Sequence, residues 1–257
     1  MSHSGILEEM TIDDVRDLSP NVAVIPIGST EPHGPALPYG TDSFQVGSTA
    51  YGGTRRANEL NGRVVCLPTQ PISLNNNFHA FPFACRMQVP TFMSLLKDLV
   101  ALCEHEGVRR IVIINGHGGN PDVIRAVQRD LADKEGLFTC LIGTTTFASD
   151  EAKSVWVNRS DHAGEEETSN VLYLRPELVK EDRIANHPQN QPKLSELVDF
   201  QVDFVRPWHL YIPASAGGDA TLASSDKGET VLTSAIEGTG RFLSALSLEP
   251  DSENFPY

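Results

Sequence analysis

A short segment rich in glycine and proline, residues 28–42, carries three side chains that commonly bind metal ions. Glu31 and His33 are separated by one residue, and Asp42 follows nine residues after His33. In an extended chain, residues two apart project to the same side, and the prolines and glycines in between allow the chain to fold back. Carboxylate and imidazole ligands together suit Zn, Mn or Fe. We therefore predict that these three residues begin a metal site.

Each of the three residues also has an ordinary structural interpretation. Asp42 could cap a helix that begins there, Glu31 could be a solvated loop residue, and His33 could be hydrogen-bonded in a turn. The presence of all three in one loop favours the metal site.

A second cluster, residues 115–120, reads Asn-Gly-His-Gly-Gly-Asn and joins an apolar run to a predicted helix. We predict that His117 is a metal ligand and that Gly118 and Gly119 let a substrate approach the backbone. The alternative is a glycine-rich cradle for an anion. The cluster lacks the glycine order and the Lys-Ser/Thr ending of the common nucleotide-binding motifs, which disfavours that alternative.

The third cluster, residues 161–169, places a histidine just before three consecutive glutamates. The glutamates alone could serve a helix dipole. A histidine beside a metal site is a common general acid or base, because its reference pKa lies near neutrality, so we predict that role for His162. His79, which follows three asparagines, is a weaker candidate for contacting substrate, and a buried structural histidine is an equally good interpretation.

Four short apolar runs and the helical patterns between them must position these clusters. The runs are residues 22–27, 64–67, 110–114 and 138–142, and they read as strands buried on both faces. Helical periodicity predicts helices at 91–106, from Pro121 to about Leu131, and at 228–248. We expect Thr91 to cap the first, and Gly107 and Gly136 to end the first and second.

The alternation of strands and helices predicts an α/β fold, one domain over residues 1–257, with a mostly parallel sheet flanked by helices. In such sheets ligands bind at the carboxyl ends of the strands, so the segments 28–42 and 115–120 should meet at one edge. Residues 186–191 and 214–218 are predicted loops, and 251–257 a tail.

Composition narrows the classes of function. The net charge of −14 disfavours binding to nucleic acid or to an anionic membrane surface. The four cysteines form no Cys-x-x-Cys pair and suit a reducing compartment. Neither a signal peptide nor an apolar run of membrane-spanning length is visible, so we expect a cytoplasmic protein.

Taken together, the motifs resemble those of the creatininase family of amidohydrolases. The resemblance runs from about Val22 to Gly228 and rests on segments 28–42, 115–120 and 162–169, and more loosely on 217–228. It implies a site for two divalent metal ions (Zn, Mn or Fe). One ion would be held by Glu31, Asp42 and His117, and the other by His33 and the shared Asp42. It also places His162 and Glu167 near the reacting group and implies a homo-oligomer, often a hexamer.

Two departures from creatininase bear on the substrate. Creatininase has a glutamate as a ligand of the second metal where this chain has Gly119, so we predict that Glu167 supplies the missing carboxylate. Creatininase also has tryptophans around the creatinine ring, where this chain has Phe138 and Asn158. Creatinine is therefore not the expected substrate.

We expect a metal-dependent hydrolase that cleaves a C–N bond of an amide, cyclic amide or formamide in a small molecule, with water activated by the metals. One alternative is a hydrolase that opens a cyclic keto-polyol by cleaving a C–C bond. The other is a non-catalytic metabolite-binding relative.

Overall fold

The computed structural model describes residues 4–158, 162–252 and 255–256. Its main sheet has four strands, β1 (Val22–Ile27), β2 (Val64–Cys66), β3 (Arg110–Asn115) and β4 (Phe138–Gly143). All neighbours are parallel, in the order β2-β1-β3-β4. The predicted α/β fold with a parallel sheet is thus confirmed, and each predicted strand differs by at most one residue at its end. The first residue of the third cluster and part of the predicted tail lie outside the described residues.

Nine helices lie within the described residues, together with short 3-10 turns such as Asn76–Phe78. They are α1 (Ile12–Leu18), α2 (Thr41–Glu59), α3 (Val89–His105), α4 (Pro121–Asp130), α5 (Asp150–Lys153), α6 (Glu165–Leu174), α7 (Glu196–Asp199), α8 (Trp208–Tyr211) and α9 (Ser225–Leu248). None of these described helices has the length and apolarity needed to cross a membrane.

Helices cover both faces of the sheet, and the alternation of side chains along the strands decides which residues meet which helices. Ala23, Ile25 and Ile113 share one core with α3 and α4. Val24 and Val112 share the other core with α2 and α9. Because both faces are covered, the strands are nearly all apolar, and the six residues of β1 are fully buried.

The structure corrects two predicted helix boundaries. The N-cap of α3 is Gln88 rather than Thr91, and a proline lies in its first turn, where a missing N–H costs nothing. Helix α4 ends at Asp130, well before Gly136. Gly136 (φ 69°) instead lies in the turn that leads to β4, whereas Gly107 (φ 79°) does follow α3 as expected.

The two predicted loops differ from expectation in one respect. Two residues of the first loop and the last residue of the second belong to a small antiparallel ribbon of β5 (Asn186–His187) and β6 (Gly218–Asp219). Sequence patterns miss such a ribbon because two-residue strands are too short to show periodicity. The ribbon anchors the ends of a long excursion, residues 188–217, which contains α7 and α8 and covers one side of the functional site.

Candidate metal centre

The three sequence clusters meet at the carboxyl edge of the sheet. Segment 28–40 follows β1 and leads into α2, residues 116–120 follow β3, and α6 approaches from the side. Their side chains converge on one buried point, and six residues face it: Glu31, His33, Asp42, His117, His162 and Glu167. This is the edge at which parallel sheets bind ligands.

Asp42 lies at the middle of this cluster, in the first turn of α2, and is 1% exposed. Its Oδ1 atom is 3.2 Å from Nε2 of His33, and its Oδ2 atom is 3.2 Å from Nδ1 of His117. The two carboxylate oxygens therefore face two different imidazoles. This is the arrangement expected of a carboxylate that bridges two cations.

Each imidazole has a glutamate as a second neighbour. Oε1 of Glu31 is 3.2 Å from Nδ1 of His117, and Oε2 of Glu167 is 3.7 Å from Nε2 of His33. Two groups of possible ligand atoms result, each with its atoms within 4.8 Å of one another. One consists of Glu31, Asp42 and His117, and the other of His33, Asp42 and Glu167.

A third group of possible ligands combines Glu31 and His33 with His162. Nδ1 of His162 is 3.8 Å from Oε1 of Glu31, and its ring centroid lies 4.2 Å from that of His33. His162 thus lies directly beside the other two groups, with its inner nitrogen facing them.

All three histidines are oriented by backbone carbonyl groups. The outer ring nitrogens of His33, His117 and His162 lie 3.1, 2.8 and 2.9 Å from the carbonyl oxygens of Glu31, Leu74 and Pro32. A carbonyl oxygen only accepts hydrogen bonds, so each outer nitrogen carries the proton. The inner nitrogen of each ring therefore faces the cluster, and once it is deprotonated its lone pair is directed as a metal ligand or a proton acceptor requires.

A second layer of hydrogen bonds holds the carboxylates. Ser29 donates to Oε2 of Glu31 (3.0 Å), and Asn75 donates to the Ser29 hydroxyl (2.6 Å). The backbone N–H of Ala163 donates to Oε2 of Glu167 (2.5 Å). Sequence reasoning did not single out Ser29 or Asn75. The serine lies inside the first motif and could have been noticed, but Asn75 is 46 residues away along the chain.

The loop after β3 is held by its two terminal asparagines. Asn115 donates to the carbonyl of His117 (2.7 Å) and accepts from Asn120 (3.0 Å). Asn120 also accepts from the backbone N–H of Leu74 (3.2 Å), which fixes the carbonyl that orients His117. Both asparagines therefore stabilise the conformation of this loop.

The buried charges shift the pKa values of the cluster in the direction expected of a site for cations. Burial opposes protonation of His33 and His117, but the neighbouring carboxylates outweigh burial and raise the pKa of His33 to about 10 and that of His117 well above its usual value. Burial raises the pKa of Glu167 to about 7. Positive charge is what the carboxylates stabilise here.

The described residues also leave two buried atoms of the centre without a hydrogen-bond partner, Nε2 of His33 and Oδ2 of Asp42. Unsatisfied buried polar atoms are rare and need an explanation. Divalent cations held between these atoms would satisfy them and neutralise the buried carboxylates, so the residues present fit a pair of metal ions.

Gly119 permits a close contact that no other residue allows. A Cβ atom there would lie 2.5 Å from Nε2 of His117 and 2.7 Å from the carbonyl oxygen of Leu74. It would thus collide with the hydrogen bond that orients His117. At Gly118, by contrast, a Cβ would meet nothing within 4 Å. A glutamate in the place of Gly119 is therefore incompatible with this arrangement, and Glu167 offers a carboxylate from another direction.

The centre opens into a cleft of about 630 Å³. Gly118 and Gly119 line it, and so does Trp208, a residue that sequence reasoning missed. Trp208 stacks on buried Phe78 with centroids 4.7 Å apart, and its ring lies 5.0 Å from that of His162. Because α8 lies in a segment without periodicity, nothing in the sequence indicated this contact.

The residues that match the creatininase tryptophans lie elsewhere. Phe138 is the first residue of β4, at the opposite edge of the sheet, where its ring packs against Phe255. Asn158 donates its backbone N–H to Glu165 (2.6 Å). Glu165 is fully buried and forms an ion pair with Lys227. Lys227 lies in the loosely matching segment 217–228, and this ion pair is its structural role.

His79 is not brought together with the other candidates. It is exposed, its ring lies 5.2 Å from that of His209, and it is absent from the residues lining the cleft.

Comparison with known proteins identifies the family of this chain. Residues 8–243 match the family model named Creatininase and described as creatinine amidohydrolase. The chain is 28% identical over 225 residues to a mycofactocin precursor peptide peptidase of Mycobacterium ulcerans, covering 83% of this chain and 81% of that protein. It is 26% identical over 249 residues to a 3-dehydro-scyllo-inosose hydrolase of Thermotoga maritima, covering 86% and 76%.

Solved structures share the fold. A candidate creatinine amidohydrolase from Bacteroides fragilis NCTC 9343 superposes with a TM-score of 0.83 at 24% identity, covering 98% of this chain and 100% of that one. A manganese form and a zinc–zinc variant form of creatininase give TM-scores of 0.75 and 0.76 at 21% identity, each covering 96% of this chain and 100% of the other. Because the family model matches more than nine-tenths of its length, this chain belongs to the creatininase family.

Proposed function

We propose that this protein is a metal-dependent hydrolase that cleaves a C–N bond of an amide, cyclic amide or formamide in a small molecule. The observation that carries the proposal is the shared carboxylate of Asp42, whose two oxygens face His33 and His117 at 3.2 Å each. The orientation of the imidazoles supports it, because each outer N–H is held by a carbonyl group and each inner nitrogen faces the centre. Assembly into a homo-oligomer remains a prediction from the family resemblance.

The residues would divide the work as follows. Glu31, Asp42 and His117 would hold one divalent ion, and His33, Asp42 and Glu167 the other. Bound there, two such ions polarise a substrate carbonyl and lower the pKa of water toward neutrality. The carbonyls of Glu31 and Leu74 hold the imidazole ligands in the required tautomer.

His162 is the proposed proton carrier. Its Nδ1 atom faces the centre, while its Nε2–H is held by the carbonyl of Pro32 (2.9 Å). Burial keeps the pKa of His162 well below its usual value, so the ring is neutral and can accept a proton at Nδ1 before passing it to the leaving group. Glu167, with a raised pKa, was a second candidate for this role, but its place beside His33 favours metal binding.

Relatives of this chain act on peptides and on a cyclic keto-polyol, so hydrolysis of a C–C bond remains the alternative activity. A panel of lactams, formamides, short peptides and inososes, assayed with Zn- and Mn-loaded protein, separates the two. A non-catalytic metabolite-binding protein would be stabilised by one of these compounds without turning it over.

Metal removal tests the proposal directly. We expect the purified protein to contain about two Zn, Mn or Fe ions per chain by elemental mass spectrometry. Dialysis against a chelator should abolish hydrolysis, and adding back Zn²⁺ or Mn²⁺ should restore it. Full activity in protein shown to be free of metal would overturn the two-metal function.

Paired glycine substitutions test the orientation of His117. In Gly119→Ala the new methyl group would displace the His117 ring from the carbonyl of Leu74, and we expect metal affinity to fall by about 10- to 100-fold, the usual effect of losing such a supporting contact. Gly118→Ala is the matched control, because its methyl group enters open space. Equal metal affinity of the two variants by competition with a chromogenic chelator would contradict the account.

A further inference from the structure

A second hollow adjoins the cleft on the side away from the metal centre. This outer pocket has a volume of about 570 Å³ and shares Phe204, Arg206 and Tyr211 with the cleft. The two pockets are therefore direct neighbours, and these three residues lie at their boundary. The outer pocket belongs to the excursion between β5 and β6, a segment whose sequence shows no clear pattern of helices or strands.

The two hollows differ in charge. The cleft is lined by Asp122 and Asp203 in addition to the carboxylates of the metal centre. The outer pocket is lined by two cations, Lys193 and Arg206, and its described lining includes no aspartate or glutamate. This lining is locally positive although the chain as a whole has a net charge of −14, and local positive charge favours anions.

Arg206 and Lys193 are both exposed, and Arg206 lies against aromatic rings without being neutralised. Its guanidinium lies 4.6 Å from the centroid of the Tyr211 ring and 5.7 Å from that of Phe204. Within the described part of the chain, neither Arg206 nor Lys193 takes part in an ion pair. Stacking on an aromatic face leaves the N–H edge of a guanidinium free to form the paired hydrogen bonds that carboxylates and phosphates accept.

Aromatic rings connect this guanidinium to the metal centre. The ring centroids of His162 and Trp208 are 5.0 Å apart, and those of Trp208 and Tyr211 are 6.1 Å apart. The Arg206 guanidinium lies 4.6 Å from the centroid of the Tyr211 ring. These short steps place Arg206 within reach of a substrate no longer than a few extended residues, each of which spans about 3.5 Å.

We propose that Arg206 and Lys193 form a subsite for an oxyanion, a carboxylate or a phosphate, at the far end of a substrate whose scissile bond lies at the metal centre. The proposal rests on the hydrolytic function proposed above and specifies its substrate class: a small molecule or short peptide with a terminal anionic group. The guanidinium of Arg206 donates paired hydrogen bonds to the anion, and Lys193 adds a second positive charge.

The test uses N-formyl-glycine peptides of one to four residues that end either in a carboxylate or in a neutral carboxamide. An N-formyl-aminoalkyl phosphate is the third arm and distinguishes the two anions. Binding to the metal-loaded protein is read from tryptophan fluorescence within milliseconds of mixing, before turnover, and hydrolysis is measured separately. The proteins compared are the wild type, Arg206→Gln, Arg206→Lys, and the control Arg16→Gln on α1, whose exposed side chain lies outside both pockets.

For at least one peptide length we expect an anionic end to improve binding about tenfold over the carboxamide, the usual strength of a charged hydrogen bond. The advantage should shrink as salt is added. Arg206→Gln should remove it, Arg206→Lys should keep part of it, and Arg16→Gln should keep it all.

Equal binding of anionic and neutral peptides by the wild type would overturn the subsite, and so would an unchanged preference in Arg206→Gln. Preferential binding without hydrolysis of any peptide would support the subsite while contradicting the proposed C–N hydrolysis. The two proposals can therefore fail independently. Melting temperatures of all variants check that loss of preference does not come from unfolding.

Discussion

Replacing Asp42 by asparagine is expected to remove the metals and to reduce hydrolysis by about a thousandfold or more. Asparagine has nearly the same shape, but its amide nitrogen cannot coordinate a metal in place of the lost oxygen. Since the two oxygens of Asp42 face His33 and His117 separately, one half of the site loses a ligand outright and the other half keeps only a neutral amide oxygen in place of a carboxylate.

Elemental analysis and thermal unfolding provide the measurement. Wild-type protein freed of metal by a chelator should gain stability when Zn²⁺ or Mn²⁺ is added, because a ligand that binds only the folded state stabilises it. Asp42→Asn should show little gain and fewer than one metal per chain. Asp122→Asn is the matched control, since Asp122 lines the same cleft but is fully exposed and pairs with Arg125. Two retained metals and near-normal activity in Asp42→Asn would contradict the bridging role.

Replacing His162 by glutamine should lower kcat by roughly 10²- to 10⁴-fold while both metals remain bound. Glutamine can still donate to the carbonyl of Pro32, but it has no basic nitrogen to accept a proton at the position of Nδ1. The metal ligands keep their own contacts, because none of the carbonyls that orient His33 and His117 depends on His162.

Metal content decides the interpretation of that variant. If His162→Gln loses a metal together with its activity, His162 is a ligand, as its proximity to Glu31 and His33 would also allow. If it keeps both metals and its full activity, another group carries the proton. His105→Gln is the control, because His105 is an exposed residue at the end of α3.

In the proposed function, the residues that select the substrate and the residues that carry out catalysis lie in different parts of the chain. The proposed ligands and proton carrier come from loops at the sheet edge and from α6, whereas Trp208, Arg206 and Lys193 come from the excursion between β5 and β6. Relatives that act on a peptide and on a keto-polyol could share the first part and differ in the second.

Local patterns in the sequence were sufficient for the framework and for most of the proposed ligands. Buried parallel strands must be apolar on both faces, so β1 and β3 could be recognised, and topology then placed the segments after them at one edge. Glu31, His33, Asp42 and His117 were predicted together for that reason. The resemblance to the creatininase family was recognised from the same segments.

Local patterns alone could not tell which of three neighbouring glutamates reaches the centre, and Glu167 was predicted only from the resemblance to the family. Successive helical residues point about 100° apart, so Glu165, Glu166 and Glu167 cannot share one environment. Glu165 turns to Lys227, Glu166 lines a small adjoining pocket, and Glu167 reaches His33. The choice depends on how α6 packs against the rest of the protein, which the order of the residues does not reveal.

The residues that line the cleft also depend on tertiary contacts. Trp208 and Arg206 lie in an irregular segment whose course is set by the β5–β6 ribbon and by the contact of Trp208 with Phe78, 130 positions earlier in the chain. The sheet, the edge at which it binds ligands and the chemistry available there could be predicted from the sequence, because these follow from local polarity and spacing. The residues that line the cleft around the centre could be identified only from the tertiary structure, because contacts between distant residues leave no periodic signal.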